Sequence, residues 1–359
     1  QTTPPLHRLS VPDDSSAPTS ALPLIGRDKE ISAIKTALLE ATAGRGGLLL
    51  IGGEPGVGKT RIGEEAIVMA RNMGMLALTG HAYQERSTPY ITSIEMLEES
   101  SRLIDGDDLL ELMENSAAEI ARLVPELRLD HPEIPEPPDL PPDLQQRSLF
   151  NAVLKFLRQL SARQPLLLLL DDMHWADESS IQLIEHVLGH LPHLPILVAV
   201  TYRDVKADMD EPFKRAMGNF LRLGWIRQIS VKSLTRDDIA AMLSNLSQSD
   251  APDSVVDAIY EGTGGNAFFA RSGGRHMRVE ELLETADGQL EIPDSVKHVT
   301  EQRLSRLSAD TQQILQLAAV AGLRFPLKWL EKACKDRDSV ASAMEQAESA
   351  HLLKSSSTG

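Results

Sequence analysis

Apolar positions in the first two-thirds of the chain switch between helical spacing and short continuous runs. Ile31, Ile34 and Leu38 recur at the interval of a helix turn, which predicts a helix over 29–43. The same spacing indicates further helices at 59–73, 91–124, 145–160 and 178–188. Runs typical of buried strands lie at 48–52, 166–170 and 196–201, with further candidates at 75–80 and 226–231. Strands that alternate with helices indicate a parallel α/β sheet with helices on both faces.

Beyond about residue 233 the pattern is helical. Short helices are predicted at 235–246, 252–260, 293–307, 311–321 and 326–333. The glycines of 262–265 interrupt the pattern, and 271–292 is predicted to be irregular because it is polar and lacks periodicity. This part of the chain is therefore predicted to be an all-α appendage.

Two stretches show neither pattern. Residues 1–22 are rich in Pro, Ser and Thr and carry too little apolar surface to order themselves. Either a flexible tail or a linker to an upstream domain accounts for them. Residues 130–143 are acidic and proline-rich, which predicts an extended loop. The chain ends SSSTG directly after an apolar helical pattern, and we expect it to be a piece of a larger protein.

Composition narrows the function classes. The 36 Lys and Arg against 52 Asp and Glu give a formal net charge of −16, which argues against a protein that coats nucleic acid. A single cysteine, Cys334, excludes a disulfide framework and a cysteine-cluster metal site. No apolar run approaches the ~18 residues of a membrane span, and no signal-peptide pattern is visible. We expect a cytoplasmic protein without membrane contact.

The strand at 48–52 leads into a phosphate-loop motif, G-x-x-x-x-G-K-[ST]. Its residues are Gly53, Glu54, Pro55, Gly56, Val57, Gly58, Lys59 and Thr60. Glycines let backbone N–H groups turn toward phosphates, and the following helix points its positive end at the same anions. Lys59 is expected on the β- and γ-phosphates and Thr60 on Mg²⁺. We assign these residues and the next one, Arg61, to nucleotide binding.

An acidic pair, Asp171 and Asp172, follows the apolar strand at 166–170. We expect Asp171 to hold Mg²⁺ through its water shell and Asp172 to polarise the attacking water. The alternative is a pair of helix caps, but Asp177, directly before the next helix, is the more natural cap. His174 and Trp175 are interpreted as packing residues, and the alternative is a contact that transmits the nucleotide state.

The strand at 196–201 continues into Thr201-Tyr202-Arg203. Ligands of open α/β sheets lie outside the carboxyl ends of the strands, so Arg203 is expected on the phosphate side as a γ-phosphate sensor. The alternative is a surface arginine paired with Asp204 or Asp208.

Together these motifs resemble the STAND class, signal-transduction ATPases with numerous domains, and in particular the AAA-like modules of large LuxR-type regulators and of cyclase or kinase fusions. The motifs that carry the resemblance, besides the phosphate loop, are LIGRDxE at 24–30, DDMHWAD at 171–177, TYRD at 201–204 and GNAFF at 265–269. The likeness covers about residues 23–355.

The resemblance implies roles and domains. Gly26 and Arg27 would lie over the nucleotide, with Arg27 near the ribose or base, and Arg203 matches the first sensor. Asn266 and Ala267 match a lid motif that usually reads Gly-Asn-Pro, whose proline packs on adenine; here Ala267 stands at the proline position. The implied domains are a nucleotide-binding domain at 23–232, a helical lid at 233–292 and a truncated winged-helix domain at 293–359.

In this class the ATPase acts as a switch. ADP would hold a closed monomer and ATP an assembling form, with a C-terminal sensor and an output domain outside this chain. No basic recognition helix is evident, so direct nucleic-acid binding is not expected. The alternative is a constitutive ring-forming remodelling machine driven by ATP. A scaffold that binds nucleotide without hydrolysis is disfavoured by the intact acidic pair, and a small-molecule kinase leaves the helical appendage unexplained.

Overall fold

The computed structural model describes residues 23–84, 88–205, 209–247, 250–276, 304, 307–320, 329–330, 334 and 337–349. The chain splits into two compact units, Gln1–Leu234 and Thr235–Gly359. The predicted linker at 1–22 and most of the predicted helices at 293–307 and 326–333 lie outside the described residues. Within the described part, no helix has the length and apolar character needed to cross a membrane.

The first unit contains a five-stranded parallel sheet. Its strands are β1 (Gly47–Gly53), β2 (Leu76–His81), β3 (Leu166–Asp171), β4 (Ile196–Arg203) and β5 (Ile226–Val231). They lie in the order β2-β3-β4-β1-β5, and every neighbouring pair is parallel. The predicted α/β fold class is confirmed. All five carboxyl ends therefore lie at one edge of the sheet.

Helices cover both faces of this sheet. They are α1 (Asp28–Thr42), α2 (Lys59–Asn72), α3 (Ile91–Leu103), α4 (Gly106–Met113), α5 (Ala117–Ile120), α6 (Glu126–Asp130), α7 (Pro142–Arg163), α8 (Glu178–Leu188) and α9 (Glu211–Phe220). Alternate strand residues point to opposite faces. Leu49 and Ile51 of β1 pack in a core with α1 and α2, whereas Leu48 and Leu50 join the larger core that α3–α9 cover.

Two helical predictions in this unit need correction. The single helix predicted at 91–124 is interrupted, because Ile104 is extended and the Asp105 carboxylate caps α4 by accepting from the Asp107 N–H at 3.2 Å. Helix α9 was not predicted, although Phe213, Met217 and Phe220 recur at helical spacing and are buried.

The second unit is helical where it is described. Its helices are α10 (Arg236–Ser247), α11 (Asp253–Thr263), α12 (Ala267–His276), α13 (Ala309–Val320) and α14 (Arg337–Ser349). Gly264 and Gly265 have φ values of 58° and 74° and end α11, in agreement with the predicted break. The irregular segment predicted from residue 271 is wrong over 271–276, which belong to α12. Helix α14 lies in the region of the apolar helical pattern that precedes the C-terminal SSSTG, although no bounds were predicted for it.

Candidate nucleotide-binding site

The phosphate-loop segment joins the end of β1 to the start of α2. Gly56 and Gly58 take φ values of 80° and 100°, which side-chain-bearing residues rarely adopt. A Cβ on Gly58 would meet nothing within 4 Å, so the backbone angle, not crowding, requires glycine there. A Cβ on Gly53 would lie 2.7 Å from the Val231 carbonyl oxygen, so this position requires glycine for space. The loop therefore runs directly into the start of α2, where the free backbone N–H groups of the helix favour binding of an anion.

Lys59 lies over this loop with only 7% of its surface exposed. Its Nζ donates to the Gly53 carbonyl oxygen at 3.1 Å and to the Glu54 carbonyl oxygen at 3.0 Å. These bonds hold the ammonium at the carboxyl end of β1. A positive charge held beside a helix N-terminus is the arrangement that binds a phosphate chain.

The Asp171 carboxylate at the end of β3 lies between two hydroxyl groups. Thr60 Oγ1 of α2 donates to Asp171 Oδ2 at 3.1 Å, and Thr201 Oγ1 of β4 donates to Asp171 Oδ1. One carboxylate beside one hydroxyl fits Mg²⁺, which prefers oxygen ligands and takes most of the others from water and phosphates. In the described part of the chain no group of three or more His, Cys, Asp or Glu side chains is placed to hold a metal ion, and Mg²⁺ bound in this way needs none.

Asp172 follows in a left-handed conformation, with φ 54° and ψ 37°. Its backbone N–H donates to Thr201 Oγ1 at 2.9 Å, and its Oδ1 lies 3.8 Å from His174 Nδ1. Burial raises the pKa of the Asp172 carboxyl, and the Asp171 charge raises it further, while Lys59 and Arg203 act against both. These effects place Asp172 inside the electrostatic field of the same site.

Arg203 closes β4 and lies opposite Gly53 in the strand register. Its guanidinium carbon stands 5.4 Å from the centre of the Trp175 ring, a cation–π distance. Trp175 in turn lies against His174, which is fully buried, with ring centres 4.8 Å apart. Trp175 thus contacts both His174 and the candidate sensor, Arg203, and the choice between packing and a contact that transmits nucleotide state stays a prediction.

A family comparison gives this geometry its context. Residues 23–199 match the model of a family described as the AAA ATPase domain. This match confirms the AAA-like ATPase part of the resemblance on which the sequence assignment depended.

The curated relative and the solved structures that resemble this chain are distant. Hybrid signal transduction histidine kinase G of Dictyostelium discoideum is 28% identical over 194 residues, which are 50% of this chain and 6% of that kinase. DnaA of Aquifex aeolicus with bound AMPPCP is 14% identical, with a TM-score of 0.43 over 92% of this chain and 80% of that one. A STAND protein of Pyrococcus horikoshii with a tetratricopeptide repeat sensor is 13% identical, with a TM-score of 0.42 over 94% of this chain and 42% of that one. At these TM-scores the two structural likenesses support no functional assignment.

Arg27, which was expected near the ribose or base, is buried beside the phosphate loop, and its place relative to a nucleotide stays a prediction. Arg27 is only 5% exposed, its Nη2 donates to the Val57 carbonyl oxygen at 3.0 Å, and its Nη1 lies 3.6 Å from Glu30. The preceding Gly26 has a φ of 67°. Arg27 therefore contacts the phosphate loop directly. Arg61 lies on α2, 3.5 Å from the carboxylates of Glu64 and Glu65.

Asn266 and Ala267 belong to the second unit. Asn266 is 6% exposed, and its Oδ1 accepts from the N–H groups of Phe268 at 3.2 Å and Phe269 at 3.5 Å. These are the bonds of an N-cap, and Ala267 is the first residue of α12. The proline expected at Ala267 would occupy the helix position that best tolerates proline.

Sequence reasoning missed the role of Thr201. It was quoted as part of a motif but given no function, although it contacts both residues of the acidic pair. The available signal was a hydroxyl residue at the end of an otherwise apolar strand. Asp177, by contrast, caps α8 as suggested, since its Oδ1 accepts from the Ser180 N–H at 2.9 Å.

Proposed function

We propose that this chain is the nucleotide-dependent switch module of a larger multidomain regulator. It binds ATP or ADP, hydrolyses ATP slowly, is closed with ADP and assembles with ATP. The observation that carries the proposal is the 3.1 Å contact between Thr60 Oγ1 and Asp171 Oδ2. This contact joins the phosphate-loop hydroxyl to the carboxylate at the tip of β3, at the residue that directly follows Lys59.

The residues divide the work by their chemistry. The phosphate loop and Lys59 bind the phosphate chain, and Thr60 and Asp171 would hold Mg²⁺. Mg²⁺, when bound, neutralises phosphate charge during transfer. Asp172 orients the attacking water and accepts its proton. Arg203 binds the γ-phosphate and distinguishes ATP from ADP.

A switch of this kind needs a defined free-energy difference. Moving a population from about 1:99 to 99:1 requires ~5.5 kcal/mol of discrimination between the two states. A hydrogen bond to a charged group contributes about 1.5–3 kcal/mol. Contacts from Lys59 and Arg203 to one γ-phosphate therefore supply a large part of the difference. The proposal also includes a surface through which the ATP-bound form self-associates. The signal sensor and the output domain are proposed to lie outside this chain.

The switch is tested by the nucleotide that the purified protein carries. The protein is denatured, the released nucleotide is identified by chromatography, and the native sample is sized alongside. The proposal expects ADP at one per monomer. An empty site in an oligomer whose ATP turnover is fast and rises with protein concentration would contradict it and favour a ring-forming machine.

Hydrolysis is tested by Asp172→Asn, which keeps the shape of the side chain and removes its charge. We expect the ATP turnover rate to fall by about 10²–10⁴-fold because the proton acceptor is lost. ATP affinity should stay close to that of the unaltered protein. Asp143→Asn, on an exposed residue in the first turn of α7, is the matched control. Unchanged turnover in Asp172→Asn would assign the catalytic role elsewhere.

A further inference from the structure

The Thr201 hydroxyl has two hydrogen-bond partners in the acidic pair. Thr201 is fully buried in β4, where it lies opposite Ile51 of β1. Its Oγ1 donates its one hydrogen to Asp171 Oδ1 and accepts the N–H of Asp172 at 2.9 Å. Because threonine is branched at Cβ, its side chain has few alternative orientations. The two bonds therefore fix the hydroxyl in one direction.

At Asp171 this hydroxyl completes a clamp. Thr60 Oγ1 binds Oδ2 and Thr201 Oγ1 binds Oδ1, so each carboxylate oxygen has a hydroxyl donor from a different element. Two donors on opposite oxygens set the plane of the carboxylate. The Thr201 bond therefore leaves Oδ2 directed toward α2.

At Asp172 the same hydroxyl accepts the backbone N–H of a residue in the left-handed conformation. A φ of 54° is uncommon for a residue with a side chain, although aspartate tolerates it better than most. The bond from the Asp172 N–H to Thr201 Oγ1 stabilises this conformation, which decides where the Asp172 carboxylate points. Without that bond the N–H would have to find another partner, and the backbone would relax.

Thr201 also shares a strand with Arg203. Residues two apart on a strand lie on the same face of the sheet. One short segment of β4 therefore carries both Thr201, which binds the Asp172 N–H, and Arg203, the candidate γ-phosphate sensor.

We propose that Thr201 is a positioning residue for ATP hydrolysis, which orients Asp171 and Asp172 through its hydroxyl without touching the nucleotide. This inference rests on the proposed ATPase function. It predicts that loss of the hydroxyl lowers kcat, while nucleotide binding by the phosphate loop is retained.

The test compares Thr201→Val, which replaces the hydroxyl by a methyl group, with Thr201→Ser, which keeps the hydroxyl. Thr92 offers a matched control, because it is also fully buried and its Oγ1 has no hydrogen-bond partner among the described residues. Steady-state ATP hydrolysis gives kcat and KM, calorimetry gives ADP affinity, and urea unfolding reports whether each variant is folded.

We expect kcat of Thr201→Val to fall by about 10- to 100-fold, as misplaced catalytic groups do, with KM and ADP affinity within about threefold of the unaltered protein. Thr201→Ser should recover most of the lost rate, and Thr92→Val should leave all three parameters unchanged. If Thr201→Val does not fold, Thr201→Ala and Thr201→Ser form the decisive pair, since they differ only in the hydroxyl.

Three results would overturn the inference: a kcat of Thr201→Val close to that of the unaltered protein, equal impairment of Thr201→Ser and the variant without the hydroxyl, or a loss confined to KM. Failure of the proposed function itself looks different. In that case the unaltered protein neither binds ADP nor hydrolyses ATP, and the inference falls with it.

Discussion

Removing the Lys59 charge is the perturbation that bears most directly on the phosphate loop. Lys59→Met keeps the apolar stem of the side chain and deletes the ammonium, which now binds the Gly53 and Glu54 carbonyl oxygens at 3.1 and 3.0 Å. Because only 7% of Lys59 is exposed, solvent screens the interactions of its charge only weakly. The expected loss is therefore larger than for a surface lysine.

The size of the effect follows from the charge and its surroundings. Two unit charges about 4 Å apart interact by about 4 kcal/mol at an effective dielectric constant near 20. Allowing for solvation that the phosphates regain, a loss of about 2–4 kcal/mol corresponds to about 30- to 700-fold weaker binding. Binding of ATP and ADP should both weaken, since both carry a β-phosphate.

The assay is calorimetric titration of ATP and ADP, each with Mg²⁺, into the unaltered protein and the variant. Lys35→Met is the control, because Lys35 is an exposed lysine of α1 and its removal changes the net charge equally. Urea unfolding confirms that both variants are folded. An affinity in Lys59→Met within about threefold of the unaltered value would refute the reasoning, because the charge term alone exceeds that.

Three further predictions concern the surrounding fold. Gly80→Ala should lower the free energy of unfolding by about 1–3 kcal/mol or more, because the new Cβ would lie 2.2 Å from the Thr92 carbonyl oxygen. Gly189→Ala is the control and should change the stability little, because its Cβ would meet nothing nearer than 3.6 Å. Equal urea midpoints for the two variants would contradict this prediction. Ala267→Pro should stabilise the second unit by about 0.4–1 kcal/mol, since proline suits the first helix position; a lower thermal midpoint would count against the assignment. Burial lowers the pKa of His186, so the folded protein binds fewer protons there than the unfolded chain and loses stability as pH falls through about 6.5. His186→Asn should lose less stability between about pH 7.5 and 5 in urea unfolding, and an identical loss would argue against this role.

Local motifs made much of this fold predictable. A strand followed by the phosphate-loop pattern requires a turn and a helix, and the structure has β1, the loop and α2 at those positions. The acidic pair was placed after a buried apolar run, and the structure ends β3 at Asp171. Parallel strands then bring the loop and the carboxylate to one edge, as the alternating pattern indicated.

Contacts between distant segments were not predictable in the same way. Thr201 reaches the acidic pair because β3 and β4 are neighbours, although 30 residues separate it from Asp171. Arg27 donates to the Val57 carbonyl oxygen across the same separation in sequence. Neither partner is implied by spacing, since both depend on the order of the strands and on the path of the loop.

The short helices show a third kind of limit. Helix α12 begins where Asn266 caps it, whereas the glycines of 262–265 indicated only a break and the polar chain from residue 271 was predicted to be irregular. A run of glycines is equally compatible with the end of one helix and with a short turn before the next helix. The hydrogen bonds of the Asn266 side chain show that a new helix starts here.

The central claim is that Lys59, Thr60 and Asp171 form one Mg²⁺–nucleotide site, and titration of ATP into the full chain with and without Mg²⁺ tests it most directly. The account predicts one ATP bound per chain, with affinity that rises when Mg²⁺ is present and loses that dependence in Asp171→Asn. No binding, or binding that is indifferent to Mg²⁺ in both proteins, would contradict it.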